Sequence, residues 1–110
     1  MTIETCMELV NTVMPDGIPE AVKLRLLGEI EGQVRVELLG EEPDGSTVFD
    51  GSTPLNTELS APHPFDRLYW LYLAAMLYFV SGYMEKYEAC AALFNAAYRD
   101  YGKWLRRKGV

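Results

Sequence analysis

The chain has one histidine, His63, and two cysteines, Cys6 and Cys90, which leaves little room for chemistry. A single histidine excludes any two-histidine metal site and leaves a Ser-His-Asp arrangement without support. The cysteines lie far apart and lack C-x-x-C spacing, so zinc and thioredoxin-type chemistry have no local basis. A Cys90–His63 nucleophile pair is disfavoured as well. Cys90 sits among Ala89, Ala91 and Ala92, where a small, dry packing residue is expected. No glycine-rich turn joins a strand to a helix, so there is no phosphate cradle. The carboxylate pairs Glu29/Glu31 and Glu41/Glu42 fall on a polar helix face and in a loop, and read as solvated. These absences point away from an enzyme and give no catalytic residue, metal ligand or cofactor site.

An apolar run long enough to cross a membrane with ease is missing too. The longest uncharged stretch, Leu68 to Met84, has seventeen residues, at the lower limit for a membrane span. Its aromatic residues lie inside it rather than at its two ends, where interfacial rings belong. A core or interface helix is the expectation, with no membrane partner. Glu4 and Glu8 stand where a signal peptide would be basic, and no apolar h-region follows. The thiols are therefore read as reduced, in a cytosolic setting.

Bases are scarce, 10 against 16 acids. Residues 1–50 hold eleven acids and three bases, while residues 51–110 hold five and seven. An acidic chain is a poor stand-alone DNA binder, because affinity for the duplex comes largely from neutralised phosphates. The last bases, Lys103, Arg106, Arg107 and Lys108, gather at the end of a helical segment. There they complement the helix dipole. They also offer a contact for an acidic neighbouring surface, such as the 29–44 region of another copy, or for DNA incidentally.

What is present is helical periodicity. Ile3, Cys6, Met7 and Val10 repeat at steps of three and four, giving a helix near 2–14 capped by Thr2. Pro15-Asp16-Gly17 reads as a turn. Pro19 suits the first position of a second helix over 19–39, with Leu26, Leu27, Ile30, Val34 and Leu38 on its apolar stripe. The end of this segment, Val34 to Leu38, also alternates like a strand. Gly28 and Gly32, four apart, suit close approach of another helix. A third helix is expected over 64–81, opened by Pro64, and a fourth over 84–107. Ser81-Gly82 separates them, and Leu73 and Phe94 are expected at their seam. The result is an all-α bundle of about four helices, one domain over 1–110, without internal repeats.

Residues 40–63 interrupt the pattern with Gly40, Pro43, Gly45, Gly51, Pro54 and Pro62. Irregular connections this long are uncommon unless functional or mobile. Its few apolar residues, Val48, Phe49 and Leu55, are candidates for contacting a partner, and the loop should be the least anchored part of the chain alone.

The third segment is apolar on every side from Leu68 to Val80, and such a helix must be covered on every side. The other helices offer single stripes. One flank is therefore expected to be left for a neighbouring copy, with Tyr69, Trp70, Tyr72 and Tyr83 at the contact. Such amphipathic aromatic residues are enriched at subunit interfaces.

One resemblance runs through most of the chain outside the 40–60 loop. Ala61-Pro62-x-Pro64-Phe65-Asp66-x-Leu68-Tyr69 is followed by Leu73, Ala74, Met76, Tyr87, Leu93-Phe94-Asn95-Ala96-Ala97-Tyr98 and Trp104-Leu105-Arg106-Arg107. With Lys23-Leu24-Arg25-Leu26-Leu27-x-Glu29-Ile30-Glu31-Gly32, this order resembles small tailed-bacteriophage and prophage head–tail connector, or head-completion, proteins. The resemblance implies an all-helical structural subunit assembling as a ring between portal and tail. It further implies the host cytoplasm during assembly, and then the virion, as its location. It carries no catalytic residues. The alternative is a small helical adaptor or regulator that binds another protein and has no virion role.

Overall fold

Four helices form where the apolar periodicity places them, in a computed structural model that describes residues 1–14 and 17–109. They are α1 (Ile3–Val13), α2 (Glu20–Gln33), α3 (Arg67–Val80) and α4 (Met84–Arg107). Of the turn expected at 15–17, only Gly17 is among the described residues. Its φ of 112° is the left-handed backbone that glycine accepts without a Cβ clash. Among the described residues no strand forms, and the one strand-like pairing is an isolated antiparallel bridge between Thr2 and Glu58.

Each boundary has a local cause. Thr2 caps α1, its hydroxyl oxygen accepting from the Thr5 amide at 3.1 Å. Pro19 stands just before α2 rather than within it, and its carbonyl accepts from Val22 at 3.1 Å. Beyond Gln33 the helix widens into one π turn, Val34–Leu38, so the ambiguous segment is helical. Gly40, at φ 72°, then reverses the chain as a left-handed cap. The third helix starts at Arg67, later than the expected Pro64. Residues 62–66 make a tight turn instead, which inserts the Phe65 ring against Tyr101 and Trp104 at centroid distances of 5.4 and 5.2 Å. Gly82, at φ 83°, closes the α3–α4 hairpin, with the Tyr83 amide donating to the Tyr78 carbonyl at 2.9 Å.

α3 is the central element, touching α1, α2 and, most extensively, α4. Its Leu68, Tyr69, Leu73 and Leu77 are fully buried. Ile3, Cys6 and Val10 of α1, with Leu27 and Ile30 of α2, meet them in the core. Each such aliphatic side chain contributes about 2 kcal/mol through removal from water. Leu73 is buried as expected, whereas Phe94 is only partly buried, edge-on to Tyr72 at 5.3 Å. No described helix is long and apolar enough to cross a membrane.

Two expectations about coverage are corrected here. Over most of its length α3 is covered by its own chain, because the 40–63 segment joins the helices in packing against the core. Phe49, Leu59 and Ala61 from that segment are buried. The second half of the loop is anchored to the N-terminal end of α1, Ile3 N–H donating to Thr57, Glu4 to Leu55 and Leu59 to Met1 at 2.9 to 3.1 Å. Gly28 and Gly32 serve this loop and no second helix. A Cβ on Gly28 would run into the Thr47 carbonyl, and one on Gly32 would lie 2.7 Å from the Thr47 hydroxyl.

Candidate functional site

The most polar place inside the molecule is Glu31, the one fully buried charged side chain among the described residues. Expected to be solvated, it instead holds three elements together. Tyr69 of α3 donates its hydroxyl to Oε1 at 2.7 Å. The Ser60 hydroxyl and amide donate to Oε2 at 2.8 and 3.0 Å. Arg35, one turn further along, approaches at 3.3 Å and also donates to Ser60 Oγ and Ser46 Oγ. Tyr69 in turn accepts from the Ala61 amide at 2.9 Å. A buried carboxylate survives only when its oxygens are satisfied like this. With every donor supplied by the protein itself, the cluster has no open position for a substrate. It fastens the loop to the bundle.

Tyr69 therefore leaves the set of interface residues. It is fully buried, and its hydroxyl is used internally, so no neighbouring copy can reach it. Burial, and then the Glu31 carboxylate, push its pKa far up. Phe49 likewise leaves the partner-contacting set, being 6% exposed against the Gly28 side of α2. Of the remaining loop candidates, Val48 at 63% and Leu55 at 37% stay exposed. Trp70 and Tyr72 are partly buried, and Tyr83 is open.

Other reactive groups are quiet. Burial pushes the Cys6 thiol up to about 12, so it is protonated at neutral pH. Cys90 is also shifted upward by burial, and both cysteines are free. His63 projects into solvent, its Nδ1 3.7 Å from Asp66. No group of three or more metal-ligating side chains occurs among the described residues.

The surface carries the remaining features. In α4 every fully buried residue lies at or beyond Ala97, so the first half of α4 and the end of α3 project as an open hairpin. Its tip exposes Phe79 (48%), Val80 (59%), Tyr83 (47%) and Met84 (46%). Successive helix positions point about 100° apart, so Phe79 and Val80 face different ways and the apolar surface is an end rather than a stripe. Lys86 lies over the Tyr78 and Tyr83 rings at 5.6 and 5.4 Å, and Phe79 packs edge-on to Tyr87 at 5.2 Å. On one flank of the hairpin a shallow groove of about 270 Å³ is lined by Trp70, Leu71, Leu93, Ala96 and Ala97, with Arg67 at its rim. Leu93 beside it is 58% exposed.

At the far end of α4, Lys103, Arg106 and Arg107 line a broad open depression. Lys108 lies 4.4 Å over the Trp104 ring. Among the described residues none of these four bases has a carboxylate within ion-pair distance.

Sequence reasoning missed Glu31 and the hairpin tip. Glu31 had a legible signal, lying four residues after Leu27 and three before Val34, on the buried stripe of α2. Phe79, Val80 and Met84 had none, because exposure at the tip depends on where α1 and α2 end in space. No family model, curated protein or solved structure matches the chain.

Proposed function

We propose that this chain is a non-catalytic structural subunit of a tailed phage or prophage, a head–tail connector that self-assembles, as a ring, between portal and tail. The observation that carries the reading is the exposed apolar tip of the α3–α4 hairpin, four large side chains around Gly82. Large apolar side chains left exposed together at one end of a molecule mark a surface for contact with another protein. The sealed Glu31 cluster and the protonated Cys6 thiol support a structural role, since the polar and nucleophilic groups of the interior are turned to internal fastening.

The exposed Val48 and Leu55 side chains and the basic end of α4 supply two further contact surfaces, one apolar and one cationic. Portal, tail and neighbouring copies would share them. The basic end meets acidic protein surface, and DNA passing a channel would touch it incidentally.

The test is co-purification of the tagged chain with the portal protein encoded by the same phage or prophage. The parent retains portal, and Val80→Glu with Phe79→Glu loses it while keeping the parent's helical circular dichroism. Portal-free elution of the parent, across salt concentrations and with tail components added, would leave the adaptor reading in its place.

A further inference from the structure

We propose that a second copy of this chain docks antiparallel along the outer flank of α4, in a two-fold contact centred on Ala96. The flank is one continuous stripe. Positions 85, 89, 92, 96, 100, 103 and 107 follow steps of three and four along a 24-residue helix, so they share a face. Positions 85, 89, 92, 103 and 107 are exposed, and Ala96 and Asp100 are half-exposed at the edge facing α3, where Arg67 reaches Asp100 at 3.5 Å. The apolar groove beside Leu93 and Ala96 lies at the middle of this stripe.

Charge decides what occupies it. The stripe begins at Glu85, with Glu88 beside it, and ends at Lys103 and Arg107. Among the described residues none of the four has an opposite charge within ion-pair distance in its own chain. Glu85 and Arg107 lie equally far from Ala96, about 16 Å on either side at 1.5 Å per residue. A copy laid antiparallel across Ala96 therefore sets Glu85 of each chain against Arg107 of the other, at both ends at once. A parallel copy would place like charges together.

The small Ala96 side chain at the crossing allows close approach, and a crossing near 20° keeps both ends within reach of long side chains. Leu93 of each copy then meets the other's stripe beside the groove and leaves water. Such a contact is self-complementary, the same patch serving both partners. It is distinct from the contact at the hairpin tip.

The experiment uses light-scattering mass across a concentration series with the full chain, Glu85→Lys, Arg107→Glu and an equimolar mixture of the two variants. The parent moves to twice the chain mass as concentration rises. Each variant alone opposes like charges at both ends, and its dimer weakens by roughly tenfold or more. The mixture restores opposite charges at both ends and pairs as well as the parent.

A second arm places Ala96→Cys in a Cys90→Ser chain. Across the two-fold axis this pair oxidises to a covalent dimer faster than Glu20→Cys on α2 in the same background, and buried Cys6 does not compete. The inference is overturned by a monomeric parent, by variants that pair like the parent, or by a mixture that fails to pair. Ala96→Cys crosslinking no faster than Glu20→Cys overturns it equally. Portal binding without α4 pairing would remove this inference alone. Pairing without portal binding would remove the connector reading alone.

Discussion

Replacing Tyr69 by phenylalanine removes one oxygen atom from the centre of the molecule and little else. The ring stays, fully buried against the core. The hydroxyl makes two bonds, donating to Glu31 at 2.7 Å and accepting from the Ala61 amide at 2.9 Å. Loss of the first takes a donor from a buried carboxylate, and hydrogen bonds to charged groups are worth about 1.5–3 kcal/mol. Loss of the second leaves a buried N–H unpaired, at about 1–3 kcal/mol. Because both losses fall on one cluster they do not simply add, and the expected cost is about 3 kcal/mol. That is a large share of a small domain's stability.

Urea denaturation followed by circular dichroism measures it, with Tyr98→Phe as the control. The Tyr98 hydroxyl donates to Glu37 at 3.1 Å on the surface, so its loss should cost about 1 kcal/mol or less. In thermal melts the Tyr69 variant should unfold roughly 10 °C or more below the parent. A Tyr69→Phe protein within about 0.5 kcal/mol of the parent would refute the reasoning that Glu31 depends on this hydroxyl.

Further outcomes follow from the same structure. Gly28→Ala should destabilise by about 2 kcal/mol although alanine is the better helix former, because its Cβ meets the Thr47 carbonyl. Gly51→Ala, with open space around it, should change little, and equal effects in the two melts would contradict the packing of 47–49 on α2. Phe49→Ala should cost about 3 kcal/mol or more by emptying a buried site, where a partner-facing loop residue would cost almost nothing.

Alkaline stability should fall in a defined window. Burial raises Cys6 from 9.0 to about 12 and, helped by the Glu37 hydrogen bond, raises Tyr98 from 10.0 to about 12. The folded state favours the protonated forms, so their contribution is complete below about pH 9 and is lost as pH rises toward 12. A pH-stability profile flat from 9 to 12 would contradict this.

Much of the fold was legible because its causes are local. Thr2 as a cap, the three-and-four spacing of Ile3, Cys6, Met7 and Val10, and the break at Ser81-Gly82 depend on neighbours within a turn. The late start of α3 was not legible, because it depends on Phe65 finding Tyr101 and Trp104 more than thirty residues away. The loop was misread for the same reason. Its prolines and glycines do exclude a helix, but its attachment runs through Glu31, Ser60 and Tyr69, which only the tertiary fold brings together.

The surface divides along the same line. Tyr83 was singled out as a large, rigid aromatic that tolerates both burial and water, and it is exposed, whereas Phe79 and Val80 look in sequence like more of the same buried run. A helix that is apolar all round signals that it must be covered. How much of it the same chain covers is decided by the reach of α1, α2 and the loop, a property of the fold.

The claim that this chain is a connector subunit stands or falls on electron microscopy of the purified chain mixed with the portal assembly of its own phage or prophage. Extra density should appear as a ring on the tail-facing side of the portal, and it should vanish when the hairpin tip carries Phe79→Glu and Val80→Glu. Portal particles indistinguishable with and without the chain, at concentrations where the chain is folded and in excess, would contradict the claim.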